Sequence, residues 1–529
     1  MSYKATRISN GIFGYDVGLS GSTLLAFITA CCATGFLLVG YDNGVFGGLV
    51  NTPSFQSTFN KPDDNTISNI VSLYEIGCFF GALSTFIIGD YLGRRGTIII
   101  GSMWMIVGAI IQAAASDVGT MIAGRIICGV GMGIINATVP ILQAETSPAI
   151  SRGKLVAIDL TVLNIGIVLS YWIDYGFNYS SSVSAKAVAW RVPIALQCVF
   201  IVIIALIALI IPDTPRWLVK KGRIEDAAAV LERLLDEPKD SFQVQSQLTA
   251  IQSALEHEQH EAEKVSGWSR LIAPGGGMKD DSLRTRRRLL LACFIQAAQQ
   301  LGGINGLIYY SSTLFQQSIG LDNKQSALLA GGLNMCLILG STISFFLIDN
   351  VGRKKLLIPC IAGMSAVMAV QSGLVYKTQQ PGADAVYGRA ASAMLFIFEL
   401  FFSIGFQATV WLIPSEVLPL SIRTKGSALS TASNWICNFA VVKFTPIAIT
   451  NIRYKFYIIF AILNAAWLPI IAFFLPETAR KSLEEMDEAF AVDGWHIDRM
   501  EGGARNKQAA VEMPNGQGQE GDSDMDQKI

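Results

Sequence analysis

The sequence is poor in charge: Asp, Glu, Lys and Arg make up only 15% of its 529 residues, where a soluble domain carries about 25%. That deficit excludes a water-exposed surface over most of the chain. Histidine is scarcer still, with three residues (His257, His260 and His496), all outside the apolar runs. A histidine relay through a membrane is thereby excluded. Nine cysteines are present, but none is spaced as a C-x-x-C pair and all fall in apolar runs. Neither a disulfide framework nor a metal site is inferred from them. No basic stretch suggests nucleic acid, and a net charge of −1 points to no partner.

What the sequence does have is hydrophobic length. It is 51% hydrophobic, with a mean hydropathy of +0.43. Twelve apolar runs are long enough to cross a hydrocarbon core of about 30 Å. They are read at 24–46, 68–89, 97–115, 120–143, 155–175 and 192–211, then at 289–314, 326–348, 356–376, 390–414, 426–447 and 454–475. Three polar patterns recur about half a chain apart. Asp90-Tyr-Leu-Gly93-Arg94-Arg95 returns as Asp349-Asn-Val-Gly352-Arg353-Lys354. Glu145, with Arg152 seven residues on, returns as Glu416 with Arg423. Pro212-Asp213-Thr-Pro-Arg216 is echoed by Pro476-Glu477-Thr-Ala-Arg480. One half is thus a copy of the other, the internal repeat on which many secondary transporters are built.

The fold class that follows is an all-α membrane protein, with twelve transmembrane helices in two pseudo-symmetric six-helix bundles at 24–211 and 288–476. A cytoplasmic segment (1–23) precedes them and a cytoplasmic tail (477–529) follows, disordered after about 490. Between the bundles lies a polar segment, 212–287, with twelve Lys or Arg. This basic excess places the segment and both termini in the cytoplasm. Within it, Ile224, Ala228, Leu231 and Leu235 recur at helical spacing and predict a short amphipathic helix. Pro274-Gly275-Gly276-Gly277 reads as a flexible link, and Asn178-Tyr179-Ser180 as a glycosylation acceptor in an external loop.

Ionisable groups inside the spans are few: Asp42, Glu75, Asp159 and Glu399, with Arg125 as the one clear base. A deep arginine needs a counter-charge, and Asp42 is the candidate partner. Read from the residues, the pair is either a proton-coupling site or a fixed structural bridge. Gly129, Gly131 and Gly133 follow no strand, so they predict close helix packing rather than a phosphate loop. The repeated charges Asp90, Arg94, Arg95, Glu145, Arg152, Asp349, Arg353, Glu416 and Arg423 predict bridges between helix ends that break as the bundles rock. In the second half, Gln299, Gln300, Asn305, Tyr309, Tyr310, Asn334, Trp411, Asn434 and Trp435 combine amides with aromatics. Amides bond hydroxyls as donor and acceptor, and aromatic faces pack against C–H surfaces. The set suits a neutral polyhydroxylated ligand.

At these residues the chain resembles the sugar porter family of the major facilitator superfamily, over about 35 to 490. Gly40-Tyr41-Asp42 is similar to its first-span motif, and Asp90 to Gly96 to its loop between spans two and three. Ala123-Gly124-Arg125 with the glycines, Pro140, Glu145 and Arg152-Gly153 resembles its fourth span and exit. Pro212 to Leu218, Gln299-Gln300-x-x-Gly303-x-Asn305 and Pro476-Glu477-Thr478 resemble three further signatures. The resemblance implies the major facilitator fold. It implies a coupling pair at Asp42 and Arg125, sugar contacts at Gln299, Gln300, Asn305 and Trp411, and a site lining at Asn434 and Trp435. Three positions depart from the pattern. Leu160 stands for a sugar-contacting glutamine, Leu337 for an asparagine, and Gln407-Ala408-Thr409-Val410 for a Gly-Pro-x-Pro. Tyr171 to Gly176 and Asn434 to Val442 look most like a fungal subgroup of sugar and polyol (glycerol-type) proton symporters.

The expectation is a secondary active transporter moving a neutral monosaccharide, disaccharide or polyol by alternating access with proton symport. A uniporter of the same fold and a transporter-like nutrient receptor are the alternatives. The protein is expected to be no enzyme, since no nucleophile, base and oxyanion donors come together. It is expected to need no cofactor beyond the proton and no metal, to bind no nucleic acid, and to work as a monomer in the plasma membrane.

Overall fold

The computed structural model describes residues 17–147, 152–179, 187–264, 284–419, 422–479 and residue 490. Among them every regular element is helical. Ten helices are long and apolar enough to cross a membrane. One of them, Asp64–Ala114, runs for 51 residues but holds a single non-helical residue, Gly93. It is two spans joined by a turn. A further span falls outside the ten because it is broken: Thr285–Leu301, Ile304–Thr313 and a π-helical turn, Leu314–Ser318. The chain therefore has twelve spans, as its apolar runs predict.

In order, spans 1 to 6 are Gly21–Leu49, 64–92, 94–114, Val118–Thr146, Arg152–Tyr179 and Val188–Ile210. Spans 7 to 12 are 285–318, Asn323–Val351, Arg353–Thr378, 385–417, Arg423–Ile452 and Lys455–Phe474. Span 10 carries its own π turn at Phe402–Phe406. It then continues as helix through Gln407–Val417, where a Gly-Pro-x-Pro sequence would have broken it. Within the halves, span 1 packs on span 5, spans 2 and 3 on span 4, and span 9 on spans 10 and 12. Across the halves, span 2 meets span 11, span 5 meets span 8 and span 1 meets span 7.

Between the halves, Pro215–Lys220, Ile224–Leu235 and Phe242–Lys264 are helices. Leu218, Ala228, Val230, Leu231, Val244 and Leu248 form a small separate core there; of the predicted stripe, Ala228 and Leu231 are buried in it, Leu235 packs partly against it and Ile224 is exposed. The glycine link at 274–277 and the tail after about 490 lie outside the described residues. Asn178 is buried, and its amide donates to Asp174 O at 2.9 Å. It does not present itself as a glycan acceptor; Ser180 lies outside the described residues.

Glycine fixes two kinds of place in this fold. Span 4 lies in backbone contact with spans 2 and 3: a Cβ on Gly129 would sit 2.2 Å from Tyr74 O, and one on Gly133 2.2 Å from Cys78 O. The glycines of the fourth span are packing surface, as their context predicts. The second kind is the turn between paired spans. Gly93 (φ 80°, ψ 178°) and its repeat Gly352 (φ 99°, ψ 155°) occupy a region that is essentially closed to other residues. Gly93→Ala and Gly352→Ala should each cost about 1–3 kcal/mol and lower the melting temperature in detergent. Gly373, with nothing within 4 Å of its would-be Cβ, is the control, and Gly373→Ala should leave that temperature unchanged or raise it.

Candidate functional site

The three repeated patterns converge on one node in each half. In the first, Gly93 starts span 3, and its lack of a Cβ leaves room for the Asp213 carboxylate. Asp213 Oδ1 accepts from Arg94 N at 2.9 Å and Arg95 N at 3.4 Å, capping the helix. Arg94 then donates to Glu145 Oε1 at 2.8 Å. Burial raises the Asp213 carboxyl above its ordinary pKa, while those N–H groups and the Arg94 charge pull it back. The second half repeats the construction. Glu477 accepts from Arg353 N at 2.8 Å and Lys354 N at 3.1 Å, and Arg353 pairs with Glu416 at 3.0 Å. Thr478 adds a bond to Glu416 Oε2 at 2.6 Å.

Two of the repeated charges do other work. Asp90 pairs with Lys220 of the central segment at 2.7 Å, with both side chains about half-exposed. Arg95 turns to the end of span 6, donating to Ala208 O at 2.8 Å. The side chains of Arg152, Asp349 and Arg423 lie outside the described residues.

Deep in the first bundle, Arg125 and Asp42 are both fully buried, with Nη1 and Oδ1 3.4 Å apart. The guanidinium is held on every side. Nε and Nη2 donate to Ile70 O and Val71 O, each at 3.2 Å. The rings of Phe46 and Tyr74 stack on it at 4.2 and 4.1 Å. Carbonyls, π faces and one carboxylate replace its water shell. The glycine contacts between spans 2 and 4 are what bring those carbonyls within reach.

The second bundle carries a chain of amides. Asn434 Nδ2 donates to Gln296 Oε1 at 2.7 Å and Gln299 Oε1 at 3.0 Å. Gln300 Nε2 donates to Asn434 Oδ1 at 2.9 Å. Asn305 Nδ2 donates to Gln300 Oε1 at 2.7 Å and Asn438 Oδ1 at 2.8 Å. The break in span 7 makes this possible. Gly303 (φ 96°) separates Gln299 and Gln300 from Asn305, and half-helices of this kind line transporter sites. Trp435 is buried and Trp411 half-buried, and both pack with the core of the first bundle. They lie at the seam between bundles.

Of the predicted residues, Gln299, Gln300, Asn305 and Asn434 are thus joined directly. Tyr309 is elsewhere: its hydroxyl lies 2.7 Å from Glu75 Oε1 and 2.8 Å from Asn43 Oδ1, across the seam. Asn334 donates within its own helix, to Ala330 O at 2.8 Å. Sequence reasoning missed Gln296 and Asn438, although each stands four residues from a predicted amide and so shares its helix face. It also missed the reciprocal Asn164–Gln407 pair (2.6 and 3.1 Å), which ties span 5 to span 10. Asn164 is one turn beyond Leu160.

One side of the seam is clamped by polar bonds. Lys443 Nζ of span 11 donates to Asn65 Oδ1, Ser68 Oγ and Asn69 Oδ1 of span 2, at 2.7, 3.0 and 2.5 Å. Asn51 donates to Thr313 at 2.7 Å, and Thr450 bonds Asp64. This is the side opposite the central segment.

Removing one partner of a buried ion pair costs about 3–5 kcal/mol, whereas removing both is often nearly neutral. Arg125→Met should therefore lower thermal stability in detergent sharply, and adding Asp42→Asn should restore most of the loss. Simple additivity of the two changes would show that the pair is not electrostatically coupled.

Comparison with known proteins agrees with this construction. A family model described as "sugar (and other) transporter" matches residues 25–490. The MFS-type transporter oryC of Aspergillus oryzae is 38% identical over 476 residues, 89% of this chain and 86% of that one. The sugar transporter STL1 of Saccharomyces cerevisiae is 34% identical over 487 residues, 90% and 82% of the two chains. The quinate permease of Neurospora africana is 32% identical over 479 residues, 87% of each. Among solved structures, the proton:xylose symporter XylE bound to 6-bromo-6-deoxy-D-glucose superposes with a TM-score of 0.73 at 23% identity. It covers 89% of this chain and 99% of its own. The twelve-span fold, the repeated nodes and the match along nearly its whole length make this chain a member of the sugar (and other) transporter family, the sugar porters of the major facilitator superfamily.

Proposed function

We propose that this transporter carries a neutral sugar or polyol together with a proton, through a site between the bundles that opens alternately to each side. The observation that carries the substrate reading is the buried amide chain Gln296, Gln299, Gln300, Asn305, Asn434 and Asn438. Among the described residues, no cationic side chain bonds any of these amides. A ligand rich in hydroxyls can insert into these bonds, each hydroxyl accepting from one amide and donating to the next. A hydroxy acid, such as the quinate in one relative's name, would bring a carboxylate to a place without a counter-charge. Trp411 and Trp435 supply apolar faces for the C–H side of the ring.

Asp42 and Arg125 are the coupling pair in this reading. When the guanidinium withdraws, Asp42 is left in a low-dielectric site without a cation and takes up a proton. The nodes Arg94–Glu145 and Arg353–Glu416 hold the helix ends on the central-segment side. The basic central segment puts that side in the cytoplasm. The Lys443 clamp is then the closed outer gate, and the protein works as a monomer in the plasma membrane.

The test is uptake of a panel of radiolabelled sugars and polyols by a transport-null host, with external pH recorded. Alkalinisation that accompanies one substrate, and vanishes in Asp42→Asn, is the expected result. Uptake that stops at equilibrium without a pH change would make the protein a uniporter. No uptake of any compound would favour a receptor.

A further inference from the structure

The proton-coupling pair leaves a second buried carboxylate unexplained. Glu75, in span 2, is fully buried, and its Oε2 has no hydrogen-bond partner. It faces the seam between the bundles. The groups around it are Tyr309 and Tyr310 from span 7, Arg125 from span 4, Asp42 from span 1, Cys78 on its own span, and the neutral Asn438 from span 11. Only one of these is a cation, and it already contacts Asp42. With both carboxylates ionised, the cluster would hold a net negative charge out of reach of water, which is costly.

The hydrogen bonds make the same point independently. Tyr309 Oη lies within bonding distance of two acceptors, Glu75 Oε1 (2.7 Å) and Asn43 Oδ1 (2.8 Å). A phenol has one proton and serves one of them. If Glu75 carries a proton, its O–H donates to Tyr309 Oη, and the phenol donates onward to Asn43. If instead Asn43 is turned over and Glu75 is ionised, the only cation beside it, Arg125, is already committed to Asp42. The first arrangement satisfies the site better. On the other side of Glu75 stands Asn438, whose Oδ1 accepts from Asn305 of the amide chain.

We propose that Glu75 is a second proton-binding residue, which in its protonated form completes a hydrogen-bonded chain between Asn43 of span 1, next in sequence to Asp42, and the substrate amides. The chain runs from Asn43 through Tyr309 and Glu75 to Asn438, Asn305, Gln300 and Asn434. It crosses from the first bundle to the second, so proton occupancy orders the amides that receive the substrate. When Glu75 ionises, its proton passes to water on the side to which the seam opens. Tyr309 and Asn438 then rearrange around the charge, and the amides loosen. The role rests on the symport reading above.

The test compares wild type with Glu75→Gln, which mimics the protonated acid, and Glu75→Asp, which keeps a titrating group. Counterflow exchange of labelled substrate reports that each variant is folded and binds. In the wild type, the apparent KM should rise with pH, by up to about tenfold per unit for one obligatory proton. Glu75→Gln should lower it and remove the part of the slope that Asp42 does not supply, and Glu75→Asp should keep the slope. A wild-type slope retained in Glu75→Gln overturns the proposal while leaving symport intact. If the wild type shows no proton uptake at all, the symport reading fails, and infrared spectroscopy of the purified protein decides Glu75 by itself. A carboxylic-acid carbonyl band that Glu75→Gln removes supports a protonated Glu75, and no such band overturns it.

Discussion

A membrane-spanning chain must satisfy every polar backbone group and every charge from within itself, and the unusual features of this protein are places where that rule is met at close quarters. Arg125 is the extreme case. Its guanidinium is surrounded by two carbonyls, two aromatic rings and one carboxylate, and none of these comes from a loop. The carbonyls belong to span 2 and are reachable because Gly129 and Gly133 let spans 2 and 4 touch along their backbones. Small residues at one interface thus permit a charge at another place on the same helix. A bulkier residue there would push the carbonyls away and strand the cation.

The same constraint explains why the two halves are alike at one end and unlike at the middle. Each of the turns at Gly93 and Gly352 begins a span whose first N–H groups need acceptors. An acidic residue from after the bundle's last span supplies them, Asp213 in one half and Glu477 in the other. An Arg–Glu pair lies beside each. These nodes lock the first and last parts of a bundle together, which suits a body that must move rigidly. At mid-depth the copies have diverged. The first half holds the ion pair and the second the amide chain, on opposite walls of one seam.

Much of this was legible in the sequence. Span count, the internal repeat and the partnership of Asp42 with Arg125 follow from apolar length and from the cost of a lone buried charge. The helix turn at Gly93 was signalled by its repeat at Gly352. What could not be read was which acceptor each donor finds, because that depends on tertiary approach. Asp213 and Glu477 were visible as an echo, but nothing local says that they cap helices over a hundred residues away. Asp90 has a lysine partner in the central segment rather than an arginine beside it. Tyr309 and Tyr310 are adjacent on one helix, and only the packing decides which one meets Glu75. Gln296 and Asn438 are a different kind of omission, since counting four residues back from Gln300 and four on from Asn434 finds both.

If the amide chain receives the proposed substrate, its own bonding governs how that ligand is held. Its members are bonded to one another, so a substrate does not meet bare donors and acceptors. Each hydroxyl that enters replaces an amide–amide bond by two amide–hydroxyl bonds, and the net gain per exchange is modest. In that reading, affinity rests on how many exchanges the ligand makes together and on the apolar fit against Trp411 and Trp435. Selectivity comes from geometry: a hydroxyl in the wrong place breaks an amide bond without replacing it. Because Asn305 bonds both Gln300 and Asn438, a ligand that draws it away also disturbs the contact at the seam. Binding at these amides would therefore be felt at the wall of the first bundle, where Asp42 and Arg125 lie.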